Sequence, residues 1–108
     1  MQTNWAWLVL ILAGVCEVLW AVGLKYTEHF TRFWPSVGTV LAMVASVVLL
    51  GYTLKTLPLG TAYAVWTGIG VVGTTALGIY LFDESQDPVR LLCIVLIMLG
   101  IAGLKLRA

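Results

Sequence analysis

Residues 5–24 read WAWLVLILAGVCEVLWAVGL, a nearly unbroken apolar run with one carboxylate, Glu17, near its middle. As a helix rising 1.5 Å per residue, a run of about twenty residues covers about 30 Å, the hydrocarbon thickness of a bilayer. A charge at that depth costs at least ~2.5 kcal/mol even on lenient insertion scales. Glu17 is therefore read as a functional group, and the rest of the chain as its surround. The competing reading is a structural hydrogen bond from Glu17 to another helix. Against it, all six Lys and Arg lie at helix ends or in connections, so the chain supplies no cation at mid-membrane.

The composition agrees. Of 108 residues, 61% are hydrophobic and 10% charged, whereas a soluble domain carries roughly 25% charged residues. Three more apolar stretches follow, near 34–54, 60–82 and 88–105. Pro35 and Pro88 suit the first turns of two of them. The connections YTEHFTRF, TLPLG and DESQDP are short. The expected fold is an all-α membrane protein: one domain, 1–108, with four transmembrane helices per subunit at about 5–24, 34–54, 60–82 and 88–105. MQTN lacks Lys and Arg, and the first apolar run is too long for a signal peptide, so no cleavable leader and no soluble module are expected.

Several function classes drop out. Net charge +1 without a basic tract gives nucleic acid no footing. Cys16 and Cys93 lack the spacing of a metal or redox site, so no metal and no cofactor are expected. No nucleophile–base set is present, which argues against an enzyme. Asp83, Glu84 and Asp87 read as a solvated turn, with Asp87 beside Arg90, and His29 as a surface residue. Trp5, Trp7 and Trp34 read as interfacial anchors. Lys25 and Lys105 read as side chains snorkelling to the headgroups.

The positive charges are balanced. With four spans, Lys55, Lys105 and Arg107 share one side of the membrane, and Lys25, Arg32 and Arg90 the other. The positive-inside rule then selects neither orientation, which permits insertion both ways and an antiparallel, dual-topology homodimer. Transporters commonly place substrate between inversely oriented repeats. No internal repeat is evident, and four helices are too few to wall a cavity, so an inverted second copy is expected to complete it.

Helical spacing sorts the faces. Ala13, Gly14, Trp20, Ala21 and Leu24 surround Glu17; Thr39, Met43, Ser46 and Leu50 form one stripe; Tyr63, Trp66, Gly70 and Gly73 form another. The Ser46 hydroxyl could hold the carboxylate, or bond its own helix backbone. Gly68 and Gly70 lower the cost of a bend in the third helix. Cys93, Gly100 and Gly103 form a small-residue face of the fourth helix suited to dimer contact. Poor solvation disfavours a bare carboxylate, so Glu17 is expected to hold either a proton or a cation, beside aromatic faces that favour a weakly hydrated one. Competition for one site, with alternating access, suffices for antiport.

With these features the chain resembles the small multidrug resistance family of proton-coupled exporters over essentially all its length. The residues that carry the likeness are Gly14-Val-Cys-Glu17-Val-Leu-Trp20-Ala21, Leu24-Lys25-Tyr26, Phe30-Thr31-Arg32, Pro35-Ser36 and KTLPLGTAYAVWTGIG at 55–70. Trp20, Gly14 and Lys55-Thr56-Leu57-Pro58 resemble its guanidinium-exporting branch. The resemblance implies an antiparallel homodimer in the bacterial inner membrane that exchanges guanidinium for protons through Glu17. It places Gly14, Glu17, Trp20, Ser46, Tyr63 and Trp66 at the substrate site and Gly68 and Gly70 at a helix bend. Cys93 departs from the pattern, since many members carry glycine there. Alternatives are a quaternary ammonium or lipophilic-cation exporter of the same family, a passive cation channel, and a structural membrane subunit.

Overall fold

The computed structural model describes residues 4–107 and folds them into four helices: α1 (Asn4–Tyr26), α2 (Phe33–Thr53), α3 (Leu59–Phe82) and α4 (Pro88–Arg107). Each is long and apolar enough to cross a membrane. Hydrocarbon admits such segments because a helix satisfies its backbone groups internally. Lys25 in the last turn of α1, and Lys105 and Arg107 in that of α4, complement the negative ends of the helix dipoles.

Local chemistry sets the short connections. Arg32 is extended and leads into Pro35 in the first turn of α2. Pro58, also extended, accepts the Ala62 N–H at 2.9 Å and starts α3. At the far end Asp83 takes a left-handed conformation, φ 54°, which short polar side chains tolerate. The chain then turns back so that the Glu84 N–H reaches the Gly78 carbonyl at 3.2 Å. Asp87 caps α4 by accepting the Val89 N–H at 3.1 Å, with Pro88 as the first helical residue.

That turn corrects one expected pair. Arg90 meets Glu84 at 3.4 Å rather than Asp87, whose carboxylate caps the helix. Lys25 also reaches Glu84, at 3.7 Å, and lies over the Phe82 ring. Its ammonium is thus tied to the α3–α4 turn as well as lying near the membrane surface.

The helix order in space follows from the stripes. α1 is the central helix, packed between α2 and α3, and α4 leans on α3. The core joins Trp7, Leu10 and Ala13 of α1 with Leu50 of α2 and Ala62, Val65 and Trp66 of α3. Trp7 is therefore a core residue, only 8% exposed, and not an interfacial anchor. It shares the inward stripe with Leu10 and Gly14, and Lys105 lies 5.4 Å from its ring centre. Trp34, 77% exposed, packs edge-on against Phe33 at the start of α2, and Trp5 edge-on against Tyr52.

α4 contributes no buried residue. Leu92, Leu96 and Leu99 are exposed along it, as large apolar side chains facing lipid or another subunit would be.

Candidate functional site at Glu17

Glu17 faces α3 at the point where small residues let the two helices approach. A Cβ on Gly14 would lie 2.6 Å from the Ile69 side chain, and a Cβ on Gly70 would fall on the Glu17 carboxylate. Gly70 therefore makes the space that the carboxylate occupies. One carboxylate oxygen, Oε1, is buried and has no hydrogen-bond partner among the described residues. The ion pairs there involve Glu84 and leave Glu17 without a cation.

The carboxylate borders a cleft of about 170 Å³ walled by Ala21 of α1 and by Thr67, Gly70, Val71 and Thr74 of α3. This is several times the roughly 30 Å³ share of one water and below the ~300–1,000 Å³ of pockets for drug-sized ligands. One subunit thus forms a small cleft before any partner is added, which the expectation of a cavity only between subunits did not anticipate. Ala21 and Thr74 also line a second cleft of about 260 Å³, whose wall carries Lys25, Glu84 and Arg90. The two clefts are neighbours along the α1–α3 seam, leading from Glu17 towards the helix ends.

Of the expected site residues, Ser46 is placed differently. Its hydroxyl donates to the Ala13 carbonyl of α1 at 2.7 Å and accepts the Trp66 indole N–H at 2.8 Å. It holds neither Glu17 nor its own helix backbone. This buried chain ties α2 to α1 and α3 one turn along α1 from Glu17, and fixes the plane of the Trp66 ring. Tyr63 stacks obliquely on Trp66, with ring centres 5.4 Å apart, and is 54% exposed. Trp20 keeps its indole N–H buried without a partner among the described residues and is not on the wall of the Glu17 cleft. Gly14 serves the α1–α3 contact.

α3 runs unbroken through Gly68 and Gly70. Gly68 receives Ile101 of α4, and Gly70 receives Glu17. On α4, Cys93 is a free, exposed thiol, and Gly100 and Gly103 face open space. No group of His, Cys, Asp and Glu suited to a metal occurs among the described residues.

Sequence reasoning missed Thr67 and Thr74. With Gly70 and Val71 they recur at helical spacing, so the stripe itself was readable. Its direction was not, because the rotation of α3 against α1 is set by the Gly14–Ile69 and Gly70–Glu17 contacts.

Residues 5–97 match the family model described as Small Multidrug Resistance protein. A protein named guanidinium exporter from Escherichia coli (strain K12) is 58% identical over 101 residues, covering 94% of this chain and 96% of that protein. Guanidinium exporters from Salmonella typhimurium and Yersinia pseudotuberculosis are 57% and 58% identical over 103 residues. Each alignment covers 95% of this chain, and 98% and 99% of the respective relative.

Proposed function

The chain belongs to the small multidrug resistance family, and from that premise we propose that it is a proton-coupled antiporter exporting guanidinium or small guanidinyl cations, with proton and substrate competing for Glu17. It is a multi-pass protein of the bacterial inner membrane, four helices spanning it. The observation that carries the proposal is a buried carboxylate oxygen without a partner among the described residues, in a residue that borders a cleft sized for a small ion.

The chemistry follows from that oxygen. Poor solvation makes a bare carboxylate costly, so Glu17 accepts either a proton or a cation. Guanidinium is planar, permanently charged and weakly hydrated, and its paired N–H groups meet both oxygens of a carboxylate. Loading one expels the other, and exposure of the loaded site to alternate sides couples the two fluxes. The relatives named guanidinium exporters support reading the protein as a carrier and not an enzyme.

An antiparallel homodimer completes the carrier. Its supports are the balanced Lys and Arg on the two membrane sides and the unoccupied small-residue face of α4 at Cys93, Gly100 and Gly103. Flexure of α3 at Gly68 and Gly70 provides the moving part, and in the completed dimer Gly14, Trp20, Tyr63 and Trp66 surround the substrate, with Ser46 holding the Trp66 ring.

An apolar cleft of about 410 Å³ between α1, α3 and α4 favours a second reading, export of lipophilic or quaternary ammonium cations, since its volume falls in the drug-sized range. Glu17 is not on its wall, so the guanidinium reading is preferred.

Solid-supported-membrane currents from proteoliposomes test both. Guanidinium is expected to evoke a current that is driven by ΔpH alone and abolished in Glu17→Gln. Current mainly for a tetra-alkylammonium would transfer the protein to the drug-exporting branch. Flux that cannot run against a gradient would make it a channel, and no flux for either cation a structural subunit.

A further inference from the structure

α3 carries three threonines on or beside the face that meets α1, and two of them are bonded within their own helix. Thr74 donates to the Gly70 carbonyl at 2.7 Å, and Thr75 to the Val71 carbonyl at 2.7 Å. Back-bonding of this kind is the usual fate of a hydroxyl in a helix with no water around it. Thr67 departs from it. Its Oγ1 is buried, has no partner among the described residues, and lies on the wall of the cleft that Glu17 borders. Buried polar atoms are nearly always hydrogen-bonded, so a hydroxyl left over beside an equally unpartnered carboxylate oxygen requires a reason.

The two atoms have complementary uses. Glu17 offers charge and two acceptor oxygens, and a hydroxyl offers one neutral acceptor and one donor. Guanidinium has N–H groups along three edges in one plane. A carboxylate satisfies one edge, and the N–H groups on the others still need acceptors in a site that excludes water. Gly70, one turn from Thr67, keeps the space between α1 and α3 open to the carboxylate.

We infer that Thr67 is a specificity-determining substrate residue, whose hydroxyl accepts an N–H of the bound guanidinium while Glu17 holds its charge. This rests on the guanidinium-export reading and deepens it. A cation stripped of N–H groups gains nothing from it.

Two substitutions separate the hydroxyl from the shape of the side chain. Thr67→Val keeps the shape and removes the hydroxyl, and Thr67→Ser keeps the hydroxyl and removes a methyl group. Guanidinium and tetramethylguanidinium, which is equally charged but poor in N–H groups, are titrated against detergent-purified protein by tryptophan fluorescence, with elution volume and thermal unfolding as fold controls. Thr67→Val is expected to raise the guanidinium Kd about ten- to a hundredfold, as the loss of a hydrogen bond to a charged group would. Its preference for guanidinium over tetramethylguanidinium should shrink by the same factor. Thr67→Ser should stay within about threefold of the parent on the same scale. The opposite pattern, a harmless Val and a damaging Ser, would make Thr67 a packing residue and overturn the assignment. So would an equal loss for both cations, or a Val variant that fails the fold controls while Ser also binds weakly. If the parent protein binds no guanidinium, the export reading itself fails, and the Thr67 assignment falls with it.

Discussion

The Trp66 indole N–H donates to the Ser46 hydroxyl at 2.8 Å, so an aromatic residue of α3 is held in place by a hydroxyl of α2. Ser46 in turn donates to the α1 carbonyl of Ala13, and the three helices meet at one buried oxygen. The aromatic pair Tyr63–Trp66 is thereby positioned by bonds in which the Glu17 carboxylate takes no part.

Removing that oxygen should cost stability first. Ser46→Ala leaves the Trp66 N–H buried and unpaired, and polar contacts between membrane helices are worth roughly 0.6–1.7 kcal/mol. Reversible unfolding in mixed detergent should register a loss of that size, with guanidinium affinity weakened less than in Glu17→Gln. An unchanged unfolding midpoint would remove Ser46 from the architecture of the site.

Gly70 should be intolerant of even one carbon. In Gly70→Ala the new Cβ falls on the Glu17 carboxylate, and guanidinium currents should drop at least tenfold with the protein still folded. Gly51→Ala is the matched control: nothing lies within 4 Å of that Cβ, and helix propensity alone predicts a gain of up to about 1 kcal/mol. Equal activity of the two variants would show that the Glu17–Gly70 contact has no bearing on transport.

The open face of α4 should matter to assembly and not to the subunit. A Cβ at Gly100 or Gly103 has nothing within 4 Å among the described residues, so with leucine at both positions helicity by circular dichroism should be unchanged, whereas dimer content, read by cross-linking in liposomes, should fall severalfold. A double variant that dimerises normally would place the contact elsewhere.

Orientation is predicted to hang on a few charges. Two lysines added at the C-terminus should bias insertion to one side and reduce activity. Coexpression with an oppositely biased variant should restore it. Full activity from a population in one orientation, checked by labelling an added terminal cysteine, would exclude the antiparallel dimer.

Glu84 should prove dispensable for stability. Its pairs with Lys25 and Arg90 are substantially exposed, and such pairs contribute ~0–1 kcal/mol. Glu84→Gln is expected to unfold within about 1 kcal/mol of the parent; a larger loss would mean that the α3–α4 turn depends on charge rather than on Asp83 and the Gly78 carbonyl.

The sequence by itself determined the number of spans, the depth of Glu17 and the absence of an intramembrane cation. Those properties depend on the length and composition of each segment, and the bilayer imposes both through local rules. Only the tertiary structure decided which groups the carboxylate faces. Ser46 lay on a polar stripe that suited Glu17, yet it bonds Ala13 and Trp66, and Trp7 stood near a helix end yet is buried. Thr67 was one hydroxyl among several until α3 was seen turned towards α1. The helical period shows which residues share a face, and the rotation of that face towards a neighbour is set by side chains on two different helices. Gly14 against Ile69 and Gly70 against Glu17 set it here, through contacts between residues more than fifty positions apart in the chain.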